Sequence, residues 1–185
     1  MNNIVVRGSQ VNGPVVGRDY HYHAATAPPD TLRRAIEKIE TLNDDCGEYK
    51  DFLDRLNFYL QARAGRENIG LEEKLIRGNR QDIVEDAIFY KDAFAKIIAK
   101  GQLAKKRQYV FFYALQKIHS LFQSKVKPLI NNGATAIDID EKIYTDVIDY
   151  LFKEIQELDI SIDQALIFGM LYYLTGMCHL VWEKK

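Results

Sequence analysis

The chain is poor in the residues that usually announce chemistry or export. It has two cysteines, Cys46 and Cys178, too far apart in sequence to suggest a local redox pair. No charged start followed by a continuous apolar stretch opens it, so no secretion signal is expected. Two free thiols without such a signal point to a reducing cytoplasm and away from a disulfide framework. Charge of one sign is also lacking. Lys and Arg number 25 against 26 Asp and Glu, a formal net charge of −1. That balance removes the global basic field of a nucleic-acid protein.

Motifs of chemistry are missing as well. Gly13-Pro14-Val15-Val16-Gly17-Arg18 is glycine-rich, but it has no Gly-Lys-Ser/Thr ending and does not sit between a long strand and a helix. His21 and His23 lie two apart and share one face of an extended strand, yet no third ligand follows; they read as the polar face of a β-ribbon. The paired acids Asp44-Asp45, Glu72-Glu73, Asp138/Asp140/Glu141 and Glu154/Glu157 fall at helix starts or on outer faces, and none has the Glu-x-x-His spacing of a di-metal bundle. No catalytic, cofactor-binding or metal-ligating residue is expected, and no small-molecule substrate.

What is present is a core former with an appendage. Hydrophobic residues make up 47% and charged residues 28%, so a packed domain is expected. The first 23 residues do not belong to it. Short β-rich runs there are broken by Gly8, Gly13 and Gly17, and no helix forms across these glycines and Pro14. Such a segment buries little alone, and its backbone groups need a partner strand. Residues 1–23 therefore read as a β-rich oligomerisation arm built on Val11, Gly13, Val15, Val16, Gly17, Asp19, Tyr20, His21, Tyr22 and His23. Residues 24–29, with Pro28 and Pro29, form a stiff linker.

Residues 30–185 read as an all-α bundle of about six helices. Asp30 or Thr31 caps the first, with Leu32, Ile36 and Ile39 on one face. Asp44 to Ala64 follows, with Tyr49, Leu53, Leu56 and Leu60 inward, stopped by Gly65. A short helix covers Leu71 to Arg77, and a longer one Arg80 to Lys100 with Ile83, Ala87, Phe94 and Ile97. Gln102 to Lys127 is the longest, ended by Pro128 and the Asn131-Asn132-Gly133 turn. Another starts at Asp138, with the stripe Ile143, Val147, Leu151, Ile155 and Leu158. Ser161-Ile162-Asp163 caps the last helix.

That last helix carries the apolar run Ala165 to Trp182, which approaches the length of a membrane span. In a helical domain, a helix apolar on every side is the central one. Buried core is the preferred reading and a tail anchor the alternative. Gly169 and Gly176 fall on nearly one face and let a neighbour approach, expected to be the helix centred on Phe112 to Phe122. His179 and Cys178, adjacent on a helix, point in different directions and are no nucleophile and base; a buried, hydrogen-bonded histidine is expected. Lys105-Lys106-Arg107 is the one basic run. It reads as a solvated helix start that docks on an acidic partner, with nucleic-acid binding the weaker alternative.

Two stretches resemble known families. Gly8-Ser9-Gln10-Val11-Asn12-Gly13-Pro14-Val15-Val16-Gly17-Arg18-Asp19-Tyr20-His21-Tyr22-His23 resembles the bacterial amyloid-signalling and related β-arch motifs of conflict systems. The resemblance leaves a fibril and a closed β-assembly both open. The end of the chain, with Gly169, Tyr173, Leu174, Thr175, Gly176, Cys178, His179 and Trp182 in order, is similar to the closing helix of C-terminal helical domains in ABC-type three-component conflict systems. That likeness implies partners: an ABC-type NTPase, a middle component and an effector. The function expected is a non-enzymatic assembly or coupling module of a bacterial anti-phage complex, forming homo-oligomers in the cytoplasm. The rival is a toxic effector that inserts its last helix into a membrane.

Overall fold

Helix α1 (Asp30–Thr41) starts where the carbonyl of Pro29 accepts the backbone N–H groups of Leu32 and Arg33. Its buried stripe is Leu32, Ile36 and Ile39. In this computed structural model the described residues are 29–65, 67, 69–101 and 103–184. The arm at 1–23, with every residue named for it, and positions 24–28 of the linker lie outside them.

Helix α2 (Gly47–Leu60) is capped by Cys46, whose Sγ accepts the N–H of Tyr49 at 3.4 Å. The buried stripe is Tyr49, Phe52 and Leu56, while Leu53 and Leu60 are half-buried. The helix stops at Leu60, before Ala64, because Gln61 turns to extended backbone. Helix α3 (Leu71–Arg77) leads through a 3-10 turn at Gln81–Ile83 into α4 (Val84–Ala99).

Helix α5 (Lys105–Leu121) passes without a break into a π-helical turn, Phe122–Val126, and on into α6 (Lys127–Asn132). Pro128 does not end this rod. It sits in the first turn of α6, directly after the wider π turn, where a missing N–H removes no required bond. The stop is Gly133, at φ 73°. The next rod repeats the design: α7 (Ala136–Ile143), a π turn at Tyr144–Asp149, and α8 (Tyr150–Ile155). Thr135 and Asp138 close a capping box at its start. Helix α9 (Gln164–Gly176) is capped by Asp163, whose Oδ1 accepts the N–H of Leu166 at 2.7 Å.

These elements make seven helical rods and, among the described residues, no strand. The α9 rod is the centre. It is buried from Leu166 through Thr175 except at Phe168, and its main neighbour is α4. Gly169 explains the closeness: a Cβ there would stand 2.6 Å from the Tyr90 carbonyl oxygen and 3.0 Å from the Phe94 Cβ. The helix that approaches Gly169 is therefore α4, not the one centred on Phe112 to Phe122. Helix α5 packs against α9, α1 and α2, and α3 contacts both α4 and α9.

Candidate functional site

The end of α9 is a Schellman closure with an unusual residue at its turning point. Cys178 stands at φ 63°, a left-handed conformation that residues other than glycine and asparagine rarely adopt. Its N–H donates to the Thr175 carbonyl at 3.1 Å, and the N–H of His179 donates to the Leu174 carbonyl at 2.9 Å. Helix α3 closes the same way around Asn79, at φ 56°, with Asn79 bonded to Ile76 and Arg80 to Leu75.

The closure breaks the apolar run. Helix α9 ends at Gly176 after thirteen residues, twelve of them from the run, and Cys178, His179 and Trp182 lie in a buried tail that leaves the axis. No helix among the described residues is long and apolar enough to cross a membrane. The expectation that Cys178 and His179 sit on the last helix is thus corrected.

Lys74 holds this turn from α3. Its ammonium is buried and donates to the carbonyls of Thr175 at 3.0 Å and Gly176 at 2.6 Å, and lies 3.0 Å from the Cys178 sulfur. A cation at a helix C-terminus satisfies orphan carbonyls and complements the macrodipole. The residues explain the choice: Leu71, Lys74 and Leu75 share one face of α3, so the lysine enters the core with the leucines.

Four residues past the turn, Trp182 is clamped. Its Nε1–H donates to Thr175 Oγ1 at 3.0 Å, and that hydroxyl donates to the Leu171 carbonyl at 3.0 Å. Its ring packs on Phe122, with centroids 5.3 Å apart, and the Arg80 guanidinium lies 5.7 Å from it on the α3 side. Arg80 is 2% exposed and holds Asp82 and Asp140 through Nε and Nη2. Burial opposes its charge, but the two carboxylates outweigh that and raise its pKa, while Arg80 lowers that of Asp82. Gly78, at the end of α3, admits the tail: a Cβ there would meet the Trp182 Cβ at 2.6 Å.

The remaining motif residues serve the same closure. The Tyr173 hydroxyl donates to the Leu60 carbonyl at 2.9 Å, and its ring meets Phe94 edge-on; burial raises its pKa. Leu174 is fully buried. Gly176 makes ordinary contact with the Lys91 side chain, so unlike Gly169 it is not demanded by space. His179 is fully buried, with Nε2 3.0 Å from the Gln61 carbonyl, as expected for a structural histidine.

The basic run is not one open patch. Lys105 bonds the Leu42 carbonyl and Asp44, and its ammonium lies 4.7 Å from the centre of the Tyr49 ring. Arg107 clamps Asp159 through two bonds, 2.8 and 3.2 Å, and pulls the Asp159 carboxyl down to about 2. Lys105 and Arg107 tie the start of α5 to the start of α2 and to the turn before α9. Lys106 is half-buried between them. Glu154 departs from the outer-face reading: it is buried, accepts the Tyr113 hydroxyl at 2.7 Å and faces Lys117 at 3.7 Å. Burial and that carboxylate push the Tyr113 hydroxyl well above its ordinary pKa.

Lys74, Gly78 and Arg80 escaped the sequence reading. Lys74 left a trace, a charge inside the stripe Leu71, Leu75, Gly78. Arg80 left none, because the contacts that bury it, with Asp140 and Trp182, are remote in sequence, and Asp82 two residues away carries no such signal. Among the described residues no group of three His, Cys, Asp or Glu side chains could hold a metal.

Residues 70–182 match the family described as C-terminal domain 9 of the ABC-three component (ABC-3C) systems. The matched stretch begins at the entry to α3 and ends at Trp182, the two points that Lys74, Gly78 and Arg80 lock together. No curated protein and no solved structure matches the chain significantly.

Proposed function

The chain belongs to the family of C-terminal domain 9 of the ABC-three component systems, and we propose that it is a coupling module that joins other protein components without chemistry of its own. Membership puts it in a multi-component conflict system. The observation that carries the finer reading is the closure just described. The polar groups of Lys74, Thr175 and Trp182, and the Nε and Nη2 of Arg80, are directed at the domain's own backbone and side chains, an arrangement that stiffens a surface. Large apolar side chains stand outside: Phe89 is 69% exposed and Ile137 78%. Exposed aromatic and aliphatic anchors of this kind suit a protein partner.

On this reading the arm at 1–23 multiplies the module by pairing with its own copies. An ABC-type NTPase and an effector are the partners that the resemblance implies. Co-expression of the full chain with the other components of its system, followed by affinity capture and light scattering, tests both parts. The full chain is expected to co-purify with a protein component. Deletion of residues 1–23 is expected to leave that capture intact and lower the oligomeric mass. Failure to capture any component sinks the coupling role, and an unchanged mass after deletion moves the assembly into the helical domain.

A further inference from the structure

Helices α4 and α9 share an aromatic face that the closure does not use. Tyr90, Phe168 and Tyr172 form a ladder of nearly parallel rings, with centroids 5.7 and 6.2 Å apart and planes 24° and 17° apart. Phe89 meets Tyr90 edge-on at 5.6 Å. Gly169 brings the Tyr90 backbone against α9, and Phe168 and Tyr172 stand one turn apart beside it. Phe89 is exposed, Tyr90 and Phe168 are half-buried, and Tyr172 closes the inner end. We propose that this face docks an arginine side chain of a partner protein.

The charges around the ladder select the occupant. Glu85 and Asp86 stand one turn before Phe89 and Tyr90 on α4, both exposed and without an ion pair among the described residues. Asp86 and Asp140 also reach Tyr172: burial raises the pKa of its hydroxyl, Arg80 opposes the rise, and these two carboxylates add to it. Arg80 is itself shared by Asp82 and Asp140, so three carboxylates surround one guanidinium and the face is negative. Helix α9 contributes no charge. Lys91, the next base along α4, pairs with Asp92 and lies against Gly176, about two turns beyond Phe168.

An aromatic face rimmed by carboxylates attracts a cation and repels nucleic acid and anionic lipid. Arginine suits it better than lysine. Its guanidinium is planar, so it stacks on the half-exposed rings of Tyr90 and Phe168 while its N–H fork reaches a carboxylate such as Asp86. A lysine ammonium offers a point charge without a stacking plane. That the arginine comes from a partner polypeptide rests on the coupling reading above.

The isotope-labelled full chain is titrated with the peptide acetyl-Ala-Arg-Leu-Arg-Ala-amide, and with the same peptide carrying Lys or Gln for both arginines, while amide NMR shifts are followed. The arginine peptide is expected to shift Phe89, Tyr90, Phe168 and Tyr172 saturably, the lysine peptide to bind more weakly and the glutamine peptide not at all. Asp86→Asn and Phe89→Ser change exposed side chains, and each is expected to weaken binding about fivefold. Phe58→Ser, at an exposed aromatic of α2, is expected to leave it unchanged. Absent shifts, shifts confined to other helices, equal binding of the lysine or glutamine peptide, or an unaffected Asp86→Asn overturns the proposal. Binding that appears only after deletion of residues 1–23, which carry Arg7 and Arg18, assigns the face to the chain's own arm and overturns it too. In the co-expression capture, a component held equally by wild type, Asp86→Asn and Phe89→Ser docks elsewhere, which again overturns it. If the wild-type chain captures no component, the coupling reading fails alone and the peptide titration still decides whether the face takes arginine.

Discussion

Gly78 and Trp182 meet so closely that a methyl group on the glycine would stand 2.6 Å from the Trp182 Cβ and 3.2 Å from its carbonyl oxygen. This contact joins the two ends of the family segment, and Gly78 adopts an ordinary φ of −80°, so the demand is one of space. Gly78→Ala is expected to destabilise the domain by about 1–3 kcal/mol, the usual cost of overpacking. Gly47→Ala is the control. Nothing lies within 4 Å of its added Cβ, and the change should be neutral or raise stability by about 0.4–1 kcal/mol. Urea denaturation of both variants decides; equal midpoints would show that the tail yields freely.

Lys74→Met keeps the length of the side chain and removes its charge. The Thr175 and Gly176 carbonyls then lose a charged donor in a buried place. A loss of about 1.5–3 kcal/mol is expected, the range for hydrogen bonds to charged groups. Amide hydrogen exchange adds a local readout: the N–H groups of Cys178 and His179 should exchange faster than those of α5. Unchanged protection would mean that the Schellman bonds hold the turn unaided.

Acid should loosen the turn before α9. Arg107 lowers the Asp159 carboxyl to about 2, below its ordinary value of 3.8. A depressed carboxylate stabilises the fold above its unfolded pKa, and that contribution fades as pH falls from about 4 toward 2. Because Asp159 is partly open to solvent, solvent screening holds the effect to about 1 kcal/mol. Asp159→Asn should lower stability at neutral pH and flatten its pH dependence in that window. Denaturant midpoints between pH 2 and 7 check it; parallel profiles would contradict it.

Leu174→Ala truncates a fully buried side chain at the centre of the bundle. About 2–5 kcal/mol should be lost, together with a fall in melting temperature. The same variant melted with liposomes tests the membrane alternative: an unchanged melt with lost lipid binding would favour an anchor over a core helix.

The sequence by itself determined the elements whose signals are local. The stripes Leu32-Ile36-Ile39 and Val147-Leu151-Ile155, the Asp163 cap and the Gly133 stop rest on contacts between residues three to five apart. Such contacts are encoded within one short stretch of sequence. The all-apolar stretch likewise marked α9 as the helix to bury. Only the tertiary structure decided where α9 stops. Cysteine has no preference for a left-handed backbone, and Cys178 adopts one because Lys74, 104 positions away, and the seat of Trp182 against Gly78 hold the tail off the helix axis. Pro128 shows the same division. Locally it is a helix breaker, but burial of Phe122 and Val126 supports a π turn that carries the rod past it. The neighbour of Gly169 and the pairing of Arg80 with Asp140 likewise depend on which rods touch, and no contact within a single helix encodes that.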